Sequence, residues 1–202
     1  MKVRGKSALL RATEEFFRRL PIPAEDREHP GLDLANSPAR VAKMFEEELL
    51  AGYKPGALER LRAKFTTFAS DGGDGMVSEG PITFTSLCAH HSLPFTGEAF
   101  VAYVPTDRLV GASKLARVVE HFSRQFQNQE RLCRQVAEFV GEHSNAKATL
   151  VTMRASHECM RCRGVRQSRA KLLTSTVYPK EALEDRGLIE EFYRQVERLD
   201  QP

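Results

Sequence analysis

Apolar positions along this chain follow a helical period at first and then switch to strand-like runs. Between residues 7 and 20, Leu9, Leu10, Phe16, Phe17 and Leu20 share one helical face, with Arg and Glu opposite. PIPAEDREHPGLDLANSP follows as a connector rich in proline and turn formers. A second helix is expected from Pro38, capped by Ser37 or Asn36, through Val41, Met44, Phe45 and Leu49 to Gly52. A short helix over 57–64 and a flexible loop, SDGGDGMVSEG (70–80), complete a helical arm over residues 1–80 that carries no evident chemistry.

From Pro81 the pattern changes. ITFTSLC and EAFVAYV are rich in β-branched and aromatic residues and read as two strands, with PFTG as the turn or loop between them. SKLARVVEHFSRQF then sets Leu115, Val118, Val119, Phe122 and Phe126 at helical spacing, with Ser113 as cap. NQERLCRQVAEFVGEH repeats that pattern through Leu132, Val136, Phe139 and Val140, ending near Gly141. KATLVTMRAS and AKLLTSTVY return to strand character, and GLIEEFYRQVERL is a closing helix. The order strand, strand, helix, helix, strand, strand predicts an α+β domain over 81–202, with a four-stranded antiparallel sheet and its helices on one face.

Composition narrows the class. The 202 residues include 30 Lys and Arg against 27 Asp and Glu, a net charge of +3. A nucleic-acid coat or a polybasic membrane binder would carry a larger excess, so neither partner is expected. No apolar run approaches the roughly 18 residues of a transmembrane helix. In the opening MKVRGKSALLRATEEFF, Arg11, Glu14 and Glu15 interrupt any apolar signal core, so a cytoplasmic protein is expected. Four cysteines in a chain this long make no disulfide framework; in a reducing compartment, clustered Cys and His point to metal or catalysis.

Two patches carry that chemistry: Cys88-Ala89-His90-His91 at the end of one strand, and His157-Glu158-Cys159-Met160-Arg161-Cys162 just after another. If the strands are neighbours the patches converge, and thiolate with imidazole suits tetrahedral Zn²⁺. Spacing leaves two versions open. A closed set of Cys88, His91, Cys159 and Cys162 would be structural; an open set of Cys88, His91 and Cys159 with water in the fourth place would be catalytic. Cys133 shares a helical face with Val136 and Val140 and reads as a core residue, while His29, His121 and His143 read as surface residues.

SLCAHHSLPFTGEAFVAYVP, LVGASKLARVVEHFSRQFQNQERLCRQVAEFV and ASHECMRCRGV, in that order and at compatible spacings, closely resemble the GTP cyclohydrolase I family. Upstream, SPARVAKMFEEELLAGY resembles that family's N-terminal helix, so the resemblance spans roughly Asn36 to Thr176. It implies hydrolysis of GTP to formate and 7,8-dihydroneopterin triphosphate, the entry to folate and other pterins. It implies the tunnelling fold, whose subunits join sheets into a barrel, and a homodecamer. Carried over by resemblance, Cys88, His91 and Cys159 are zinc ligands, which selects the open site, and His90 and His157 are catalytic histidines. Gln129 and Glu130 are a guanine-recognition pair, and Ser113, Lys114, Arg117 and Arg163 hold the triphosphate or line the pocket.

These roles make physical sense. Zinc lowers the pKa of bound water to about 7, and histidine is a natural proton donor near neutral pH. One carboxylate at Glu130 can accept both donors along guanine's edge, which adenine does not reproduce. Ser113 and Lys114 open a helix whose free N–H groups attract phosphate. Arg154, Arg161, Arg163, Arg166, Arg169 and Lys171 concentrate six positive charges within 18 residues, a better match for a triphosphate than for a duplex. Ala89 departs from the family, which has an acidic residue there. A zinc- and GTP-binding homologue without turnover is therefore the alternative reading, and a zinc-stapled nucleic-acid binder using Cys162 is a more distant one.

Overall fold

The computed structural model describes residues 7–70 and 75–201. Residues 71–74 of the expected loop lie outside the described residues. The chain divides into one unit up to Ala51 and a second from Gly52. The division falls earlier than the compositional boundary at 80/81 because the next two elements belong with the second unit: α4 (Ala57–Lys64) packs on the later helix α5 (Ser113–Ser123), and β1 (Thr67–Ala69) pairs with β4 (Arg108–Val110).

In the first unit, α1 (Ala8–Arg19) starts where the Ser7 side chain accepts the Leu10 N–H at 3.1 Å. The expected connector contains a short α2 (Ala24–Glu28), whose Arg27 donates to the carbonyls of Phe17, Arg18, Leu20 and Ile22 and so closes the end of α1. The next helix, α3 (Ser37–Met44), packs against α1, and the Thr13 hydroxyl reaches the Pro38 carbonyl at 3.1 Å. It does not continue as an α-helix to Gly52; beyond Met44 it widens into a π turn over Phe45–Leu49.

The second unit is an α+β domain. Its main sheet has the order β5-β2-β3-β6-β7, built from β2 (Val77–Cys88), β3 (Pro94–Val104), β5 (Phe126–Gln127), β6 (Ala148–His157) and β7 (Leu172–Tyr178). The four long strands are antiparallel, as expected. The fifth is a two-residue addition, parallel to β2 at Leu87 and Cys88. Strand β2 begins at Val77, inside the expected loop, with its register shifted between Glu79 and Ile82, where Pro81 has no N–H to give the ladder. PFTG lies within β3; the turn is instead residues 89–93, where Ser92 adopts φ 55° and donates to the Cys88 carbonyl at 2.9 Å.

Helices α5 and α6 (Gln129–Ser144) cover one face, burying Phe95, Val101, Leu132, Val136 and Met153. Ser113 is the first residue of α5 rather than its cap, and its side chain makes no capping bond. Helix α6 is capped by Asn128, whose side chain accepts the Arg131 N–H at 2.8 Å. It runs past Gly141 to Ser144; glycine is needed at 141 because a Cβ there would meet the Tyr178 ring at 2.5 Å.

Ala102, Ala148 and Leu150 point to the opposite face, where α8 (Arg186–Leu199) lays Phe192 over them. Arg154 reinforces this cover by pairing with Glu98 at 2.6 Å and Asp200 at 2.9 Å. Among the described residues, no helix is long and apolar enough to cross a membrane. Phe192 is 2% exposed, so Phe192→Ala is expected to cost about 3–5 kcal/mol. The half-exposed Leu183→Ala should change stability by about 0.5 kcal/mol or less. Urea midpoints of the two variants test the difference.

Candidate metal centre

Strand register brings the two patches together. Central strand β3 pairs Pro94 with Leu87 of β2 and Phe95 with His157 of β6, so Cys88 and the segment after His157 leave the sheet at the same end. The turn after Cys88 is closed by Cys88 N–H donating to Leu93 O and Ala89 N–H donating to Gln127 O, both at 2.9 Å. Beyond β6 a single helical turn, α7 (Glu158–Arg161), carries Cys159.

The ligand atoms of Cys88, His91 and Cys159 lie within 4.8 Å of one another. Cys88 Sγ is 3.8 Å from His91 Nδ1, against about 3.5–3.8 Å between ligands of a tetrahedral zinc site. His90 Nδ1 is also 3.8 Å from Cys88 Sγ, but His90 is not a member of the group that closes on Cys159. Cys162 is exposed and donates its thiol to the Glu158 carbonyl at 3.0 Å, outside the group. The three-ligand arrangement is thus the one assembled, and two sulfurs with one imidazole fit zinc. Burial raises the Cys159 thiol above its ordinary pKa, and the Cys88 sulfur adds to the shift. A divalent cation works against that shift, because thiols bind metal as thiolates.

His157, two residues before Cys159, is nearly buried, with its ring stacked on Phe95 at 4.4 Å between centroids and an interplanar angle of 2°. Its Nε2 is 2.9 Å from Gln129 Oε1. Burial pushes His157 below the usual imidazole pKa, and the Glu130 carboxylate pulls the other way.

Gln129 differs from the expectation of a guanine contact. It is fully buried, with its amide nitrogen donating to Met153 O at 2.8 Å and Leu172 O at 3.0 Å, so its side chain has no edge left for a nucleotide. Glu130, next along α6, is exposed in the first helical turn. Ser113, Lys114 and Arg117 occupy the first two turns of α5, and no hydrogen bond joins them to the metal-binding group among the described residues.

The basic segment is sorted by its partners. Arg154 is committed to Glu98 and Asp200, and Arg161 pairs with Glu158 at 2.5 Å. Arg163 is exposed, and its charge acts on the Cys159 thiol. Cys133 is buried in the core as expected, its thiol pushed up to about 11. His121 and His143 are half-buried rather than surface residues: His121 meets Phe122 edge-on and His143 stacks on Phe139 at 4.0 Å. Sequence reasoning missed Phe95, the platform under His157, and Gln127, whose carbonyl anchors the Cys88 turn. Neither residue type signals such a role by itself.

Fold and site together define an α+β protein with a Cys-His-Cys group that could hold a metal ion. A sequence model of the GTP cyclohydrolase I family matches residues 2–197, and the chain belongs to that family. It is 40% identical over 163 residues to the GTP cyclohydrolase 1 of Clostridium perfringens (strain 13 / Type A), covering 81% of this chain and 85% of that protein. It is 42% identical over 164 residues to the GTP cyclohydrolase 1 of Pelagibacter ubique (strain HTCC1062), covering 81% and 79%. The Rhodopirellula baltica GTP cyclohydrolase 1 is 42% identical over 178 residues, covering 84% and 74%.

Cys88→Ser and Cys159→Ser are each expected to abolish stoichiometric zinc binding, and Cys162→Ser to retain it. Metal content of the purified variants, measured by mass spectrometry, decides the matter.

Proposed function

We propose that this chain is a zinc-dependent hydrolase that opens the guanine imidazole ring of GTP, releasing formate and forming 7,8-dihydroneopterin triphosphate, the first step of folate and pterin biosynthesis. The observation that carries the reading is the convergence of Cys88, His91 and Cys159 beside a buried, stacked His157, in a member of the GTP cyclohydrolase I family. When bound by those three residues, zinc supplies a Lewis acid and an acidified water in its fourth position.

The chain's own residues do the rest. His157 and His90 exchange protons with the ring nitrogens as the imidazole opens, and again while the ribose rearranges onto the freed amine. Phe95 holds the His157 ring in one plane. Glu130 accepts guanine's ring N–H and exocyclic amine as a bidentate pair. Arg163, beside the metal ligands and without a carboxylate partner among the described residues, serves the triphosphate. Ser113, Lys114 and Arg117 add N–H groups and positive charge at the start of α5.

The proposed assembly is the tunnelling-fold homodecamer, in the cytoplasm. Two open sheet edges support it: β7 is terminal, and β5 covers only the last two residues of β2. Residues of α5 can then serve a pocket completed by a second copy.

A second reading, zinc and GTP binding without turnover, rests on Ala89. The methyl group there cannot orient an imidazole or an arginine as a carboxylate would. Zinc-loaded protein incubated with GTP is expected to yield formate and, after oxidation, a fluorescent pterin. If neither forms while zinc and GTP stay bound, the second reading replaces the first. Glu130→Ala should abolish turnover with zinc retained; unchanged activity would remove its guanine role.

A further inference from the structure

The surroundings of Gln129 decide which nitrogen of His157 carries a hydrogen. The amide nitrogen of Gln129 lies 2.8 Å from Met153 O, 3.0 Å from Leu172 O and 3.1 Å from Thr174 Oγ1. The first two are backbone carbonyls, which only accept hydrogen bonds. Turning the amide over would set its oxygen against both of them, with the Thr174 hydroxyl as the one neighbour among these three able to donate to it, while the side chain itself has no solvent exposure. The orientation of the amide is therefore fixed by β6 and β7, which supply the two carbonyls.

The consequence reaches His157. Gln129 Oε1 is left facing His157 Nε2 at 2.9 Å, and because an amide oxygen can only accept, the hydrogen of that bond sits on Nε2. Stacking on Phe95 at an interplanar angle of 2° holds the ring plane while that bond holds its rotation. We propose that Gln129 is a positioning residue that locks His157 as the Nε2–H tautomer, so that all proton exchange between His157 and substrate passes through Nδ1.

The inference rests on the proposed reaction only for its catalytic meaning. In either direction one N–H bond at Nδ1 is made or broken against one on the substrate, and the bond from Nε2–H to Gln129 persists throughout. This separates two neighbours on α6: Glu130 is exposed, while Gln129 orients the histidine.

The test uses full-length, zinc-loaded protein labelled with ¹⁵N in its histidines, and reads two-bond ¹H–¹⁵N correlations. The His157 signal is assigned by its loss in His157→Gln. An Nε2–H pattern for His157 is expected in the wild type. An Nδ1–H pattern would overturn the inference, whether or not the protein turns over GTP, so its failure is separable from failure of the proposed function. In Gln129→Met the Nε2–H preference should be lost and kcat should fall at least about tenfold, with KM for GTP within about twofold and zinc content unchanged. A raised KM with kcat unchanged would instead return Gln129 to the guanine edge. Should Gln129→Met fail to fold, the wild-type spectrum still decides.

Discussion

The alignment of β3 between β2 and β6 is the constraint on which the candidate site depends. Its pairings, Pro94 with Leu87 and Phe95 with His157, bring two distant stretches of chain out at one end of the sheet. Side chains alternate across a strand, so a slip of one residue would send His157 to the opposite face and part Cys88 from Cys159. The apolar pattern guards against that slip. Phe95, Val101, Val151 and Met153 are buried beneath α5 and α6, and Ala102 and Leu150 beneath α8, so a shifted register would expose both sets at once.

The site shows how buried polar groups gain direction. Gln129 is hidden from solvent yet makes close polar contacts with two strands and a histidine. An amide costs little to bury when its donors and its acceptor are all matched, and it then has one orientation. The exposed His90 touches only its near neighbours among the contacts described, Cys88 Sγ at 3.8 Å and the edge-on His91 ring. The two histidines thus sit in unlike surroundings: His157 is buried against Phe95 and Gln129, and His90 is exposed.

Charge is sorted by the same logic. Six basic residues near the second patch look equivalent as a string, yet Arg154 is clamped between Glu98 and Asp200 while the charge of Arg163 acts on the Cys159 thiol. The closing helix is therefore tied to the chemistry of the sheet as well as to its apolar face, because Asp200 at the end of α8 neutralises a cation that would otherwise face solvent. Membership of the GTP cyclohydrolase I family gives the cluster its functional context.

Local patterning by itself determined much of this protein. The helices at 8–19 and 129–144, the strands around 82–88 and 148–157, and the pairing of a Cys-x-x-His patch with a Cys-bearing one were legible because periodicity and ligand spacing are short-range properties. The resemblance to family motifs added expected roles for single residues. Only the tertiary structure decided that Cys162 turns to a backbone carbonyl and leaves a three-ligand set, that PFTG is strand rather than turn, and that Gln129 faces inward to His157. Each of those outcomes depends on partners tens of residues away in the chain: the carbonyls of Met153 and Leu172 orient Gln129, and β3 sets the register for both patches. Hydrogen-bond direction and strand alignment arise between segments, and no single segment encodes them.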